Sequence, residues 1–171
     1  MNMQRTASCR IASRVGVALA ALMMSAAAFA SDWKTYESSQ YGFSMLIPAG
    51  AGVSTRESAG GWGGIAGAHE GLRFHGQAKL GAKESNEDIE RYAVNLIGVP
   101  AGAWVKVDEV HGTRGWERGY VFRANVGSRL LFGMYGVGPR GNYLLYLDTT
   151  PEDYASYKGD FDRWYESIRL N

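Results

Sequence analysis

Apolar and polar residues alternate most cleanly over residues 72–80. Leu72, Phe74, Gly76, Ala78 and Leu80 point one way; Arg73, His75, Gln77 and Lys79 point the other. A period of two predicts a strand with one buried face. The period then lengthens. Ile89, Tyr92, Ala93, Leu96 and Ile97 recur at helical offsets behind a Ser85 or Asn86 cap, with Glu87 and Asp88 in the first turn and Gly98 and Pro100 as the stop. Residues 104–110, 116–126, 130–137 and 143–148 are four further strand-like runs. Their short, Gly-rich links suit antiparallel hairpins, because parallel pairing needs a crossover of about a dozen residues. The run 130–137 is apolar on both faces, which places it centrally.

Two strands are expected before this block, over residues 33–37 and 41–48, and a third over 53–57. Gly60-Gly61-Trp62-Gly63-Gly64 reads as a flexible loop, because four glycines oppose regular structure through backbone entropy. A last helix opens at Thr149-Thr150-Pro151-Glu152-Asp153, with a threonine cap and proline in the first turn. Tyr154, Tyr157, Phe161, Trp164, Tyr165 and Ile168 form its aromatic stripe, and Gly159 interrupts it. Strands, helix, four-strand meander and helix predict one α+β domain over residues 31–171: an antiparallel sheet of about six strands with two main helices packed on it.

Residues 1–30 change the picture of where this domain works. Arg5, Arg10 and Arg14 precede an apolar run over residues 15–29, and Ala28-Phe29-Ala30 supplies a small-x-small cleavage pattern. That is the form of a signal peptide, so the expected product is periplasmic or secreted after cleavage near Ala30. No second apolar segment follows, so no transmembrane segment is expected in the mature chain. Loss of the three leader arginines leaves 15 Lys+Arg against 17 Asp+Glu. That scattered, near-neutral balance gives no electrostatic case for nucleic acid. The single cysteine, Cys9, lies ahead of the apolar run, where lipidation would not place it. The mature chain then has neither disulfide nor thiolate metal site.

The order of elements, with Tyr41-Gly42-Phe43-Ser44-Met45-Leu46-Ile47-Pro48 near the mature start and a closing Ser167-Ile168-Arg169-Leu170 behind an aromatic helix, resembles the PsbP/DcrB-like superfamily. The likeness covers most of residues 31–171 as an element pattern, with residue-level matches at the two ends. It implies an α/β/α sandwich around an antiparallel sheet. It also implies the company of accessory and binding proteins: photosystem II extrinsic subunits, envelope proteins needed for phage uptake, a nuclear-import regulator. No catalytic residues are shared across that group, so none carries over.

Candidate chemistry is sparse. His69-Glu70-Gly71-Leu72-Arg73-Phe74-His75 lacks the i, i+4 histidine spacing of a helical zinc site. If extended throughout, it would put His69 and His75 on one face roughly 20 Å apart, too far for one metal. Gly61-Trp62-Gly63-Gly64-Ile65-Ala66 loosely fits a dinucleotide fingerprint, but no helix pattern follows to hold a pyrophosphate. Asp148, Glu152 and Asp153 read as helix-capping acids, and Asp108, Glu109, His111 and Glu117 as wet hairpin ends. No nucleophile elbow is present. No catalytic, metal or cofactor residues are therefore assigned.

The expectation is an accessory protein that binds an envelope protein or membrane complex. Its contact is the glycine-rich segment 60–71, with Trp62 as aromatic anchor and His69 and Glu70 beside it. The alternative is a small-ligand binder or enzyme with a pocket at the sheet edge.

Overall fold

The computed structural model describes residues 32–171. The leader and cleavage point expected over residues 1–30 lie outside the described residues. The α+β sandwich expected from the sequence is present. Its central layer is a seven-stranded antiparallel sheet of order β3-β4-β5-β9-β8-β7-β6. In chain order these are β3 (Gly52–Glu57), β4 (Gly63–His69), β5 (Leu72–Leu80), β6 (Trp104–Thr113), β7 (Trp116–Val126), β8 (Arg129–Gly138) and β9 (Gly141–Thr149). The first two strands, β1 (Trp33–Ser38) and β2 (Phe43–Pro48), do not join it. With β10 (Arg169–Leu170) they make a separate three-stranded sheet, β1-β2-β10.

Each face of the large sheet has its own cover. Helix α1 (Asn86–Ile97) lays Ile89, Ala93 and Ile97 onto Phe122, Leu131, Tyr135, Leu144 and Tyr146. Ser85 caps it, accepting a hydrogen bond from the Asp88 amide, and Gly98 ends it at φ 71°. On the opposite face, helix α2 (Pro151–Ser167) and the small sheet bury Tyr157, Phe161 and Trp164 with Phe43, Met45 and Ile47 against Phe74, Met134, Tyr143, Leu145 and Leu147. Each such aliphatic or aromatic side chain contributes about 1.5–3 kcal/mol on burial. Of the two threonines at its start, Thr150 caps α2.

The glycine-rich stretch departs from expectation. Only residues 59–61 form a single 3-10 turn; Gly63 and Gly64 already belong to β4, paired to β3 on one side and β5 on the other. Pairing on both sides overrides the entropic cost. Glycine is needed there for room, since backbone or rings come close to it. A Cβ on Gly63 would sit 3.0 Å from the Tyr41 ring, and one on Gly76 would sit 2.4 Å from the Phe43 ring. These glycines are sockets through which the β1–β2 hairpin seats Tyr41 and Phe43 on the large sheet.

Two identical substitutions should therefore act in opposite directions. Gly76→Ala forces the Phe43 ring to move and should destabilise by roughly 1–3 kcal/mol. Gly159→Ala, in mid-helix where an added Cβ meets nothing within 4 Å, should stabilise by about 1 kcal/mol. Urea unfolding of both variants beside wild type measures the pair. Equal signs would contradict the packing described.

Candidate functional site

Three connections meet at one end of the sheet. The β4–β5 hairpin turns through Glu70 (φ 43°) and Gly71 (φ 82°), two consecutive left-handed residues of the kind that close a two-residue hairpin. The turn rests against α2: a Cβ on Gly71 would lie 2.7 Å from Asp153 Oδ2, and the Tyr157 hydroxyl donates to the Glu70 carbonyl at 3.4 Å. The second connection is the β7–β8 turn with Ser128 and Arg129. The third is the β9–α2 junction, where Thr150 Oγ1 donates to Asp153 Oδ2 at 2.9 Å and accepts from the Asp153 amide at 3.1 Å. Between them lies an open cleft of about 580 Å³. His69, Glu70, Arg73, Ser128, Arg129, Asp148, Thr149, Thr150 and Asp153 supply its polar lining.

One guanidinium ties this end together. Arg129 donates to both carboxylate oxygens of Asp148, at 2.8 and 3.3 Å, and to the Ile97 carbonyl at the end of α1 at 3.1 Å. Asp148 is 6% exposed, so its charge needs that fork. Asp148 thus does not serve as a capping acid of α2. Sequence reasoning missed the pair because it depends on β8–β9 register.

The expected contact residues separate. Trp62 is not a surface anchor: it is 2% exposed, and its ring stacks on Tyr92 of α1 at 4.1 Å and 4°. An indole flanked by glycines finds the core because α1 offers it an aromatic face. His69 and Glu70 do reach the cleft. Glu70 is largely exposed, its carboxylate 3.9 Å from His69 Nε2. The two histidines lie on opposite faces of the sheet, since the hairpin pairs His69 with Leu72, whose side chain shares the Phe74 face. The one-face arrangement expected for an extended segment is lost at the turn. The Glu70-Gly71 pair between two apolar runs was the available signal for that turn.

His75 lies on the α1 face, its ring stacked on Tyr146 at 4.4 Å and 7°. Burial pushes its pKa down to about 4. Asp148 pulls the other way, and Arg56, Arg73 and Arg129 add to the drop. Below pH ~6.5 the unfolded chain takes up a proton here that the folded chain refuses until about pH 4. Stability should therefore fall as pH drops through that window, by about 3 kcal/mol in all. His75→Gln should remove that part of the loss. Urea unfolding at neutral pH and near pH 4 checks it, and identical pH slopes for wild type and variant would contradict it.

Comparison with known proteins gives one line of similarity. No family model and no curated protein matches the chain. Among solved structures, the solution structure of cyanobacterial PsbP (CyanoP) from Synechocystis sp. PCC 6803 superposes with a TM-score of 0.54 at 14% identity, covering 94% of this chain and 99% of that one. Layer order, antiparallel sheet and closing helix together give this chain a PsbP-like fold.

Proposed function

We propose that this chain is an exported accessory protein, periplasmic or secreted after cleavage near Ala30, that holds an envelope protein or membrane complex in the cleft at the end of its sheet. The observation that carries this reading is the convergence of three connections on one open, mixed-charge hollow. His69 and Glu70 stand at its rim, and Arg73 and Ser128 line it. The leader pattern supports export. The PsbP-like fold supports an accessory role. No helix among the described residues is long and apolar enough to cross a membrane.

A hollow of about 580 Å³ also matches small-molecule sites in size. Its walls favour a macromolecular partner instead. Small-molecule sites are lined mostly by apolar and aromatic groups, whereas this lining holds no Phe, Tyr or Trp among the described residues and mainly charged and hydroxyl side chains. Charged rims suit orientation and fast encounter with a complementary surface.

A photo-crosslinking residue placed at position 70 or 128 of the full chain, in its own cells, tests this. Both positions should yield the same discrete adduct, and position 158 on the outer side of α2 should not. No adduct, or equal adducts from all three positions, would contradict the assignment.

A further inference from the structure

We propose that the α1 face of strands β3–β5, beside the cleft, is a phosphate-binding site built from Arg56, Arg73 and His75. Cross-strand register places the three together. Arg56 pairs with Gly64, which pairs with Gln77; Ala66 pairs with His75, and Ala68 with Arg73. Residues so paired share a face, so Arg56, His75 and Arg73 all rise from the same side. Arg73 and His75 are two residues apart on β5, roughly 6.6 Å along the strand; Arg56 stands two strands away and level with Gln77, about 12 Å from His75 and about 16 Å from Arg73 at the backbone, a span that two arginine side chains reaching inward can close over. Between them β4 offers only Gly64, Ala66 and Ala68, so nothing taller than a methyl group separates the arginines from the sheet floor.

The charges on this face are unbalanced. Arg56 and Arg73 are exposed, and among the described residues neither forms an ion pair or a side-chain hydrogen bond. Asp148 lies opposite Arg73, but Arg129 occupies both of its oxygens. Glu57, beside Arg56 in sequence, turns to the other face and accepts from the Tyr41 hydroxyl at 3.3 Å. The His75 ring is held flat by Tyr146 and has no hydrogen-bond partner among the described residues, which leaves a ring N–H for a ligand. Two guanidinium forks and one neutral donor facing a shallow floor fit a tetrahedral oxyanion, whose oxygens are met from several sides. A carboxylate would fill one fork and leave the second arginine without a partner.

The group recognised is a phosphate, carried either by a soluble molecule or by a lipid headgroup. The site rests on the cleft reading only through Arg73, which lines both. Phosphate binding is measured by titrating the folded protein with inorganic phosphate while following the His75 ring resonances. Co-sedimentation with phosphatidylcholine vesicles, with and without phosphatidylglycerol, forms the second arm. Binding in the first arm assigns a soluble phosphate; binding only to the anionic vesicles assigns a headgroup.

In either case Arg56→Gln with Arg73→Gln should weaken binding at least tenfold. Arg123→Gln, the same charge change on the opposite face of β7, should leave it within twofold. Arg56→Lys with Arg73→Lys keeps the charge, loses the fork and should weaken binding severalfold, which covers the case of a poorly folded glutamine variant. Absence of binding in both arms, or equal weakening by Arg123→Gln, overturns the site. If phosphate binding fails while the position-70 adduct persists, only this site falls. If binding holds and the adduct is missing, only the partner cleft falls.

Discussion

Strand β9 is buried along its whole length and on both faces, and the architecture follows from that constraint. A strand with two buried faces requires two covers. Tyr143, Leu145 and Leu147 on one side are met by α2 and the small sheet; Leu144 and Tyr146 on the other are met by α1. The antiparallel meander of β6 to β9 supplies neighbours on one edge of β9, and β5 supplies the neighbour on the other. The outermost strands, β3 and β6, are then left with mostly exposed side chains, as edge strands commonly are.

The same constraint decides where polar chemistry can sit. A buried strand must exchange apolar for polar residues where it leaves the core, and those residues then need partners before they need a function. At one end Asn142, fully buried, accepts from the Glu84 amide and donates to its carboxylate, holding the approach to α1. At the other end Asp148 takes the Arg129 fork, and Thr149 and Thr150 lead into α2. The first end is closed by Arg118 and Lys79, which both bond to Glu84. The second is left open, because the β4–β5 hairpin stops at Glu70-Gly71 against the first turn of α2. That asymmetry creates the cleft.

Much of the fold was legible residue by residue. The alternation over 72–80 is β5 with the same bounds, Ser85 is one of the two caps expected for α1, a threonine caps α2 as expected, and the Gly-rich links are hairpins. Local physics decides these features, and local sequence carries it. The glycine-rich segment 60–64 reads as a loop in sequence because its conformation depends on pairing with β3 on one side and β5 on the other and on the ring of Tyr41, some twenty residues away. Trp62 was misread for the same reason: the face that covers it belongs to α1, some thirty residues on. Of the candidate site, His69 and Glu70 were visible as polar residues near a turn. Asp148–Arg129 and the Arg56–Arg73–His75 group were not, because only strand register brings them together.

Burial of the end of β9 forces the Asp148–Arg129 pair, which forms one wall of the cleft. A double-mutant cycle measures this most directly: Asp148→Asn, Arg129→Gln and the double variant, each unfolded in urea at neutral pH. The sum of the two single losses should exceed the loss in the double variant by a coupling of about 1–3 kcal/mol. Losses that add to within about 0.5 kcal/mol would mean that the two side chains act independently, and the claim would fail.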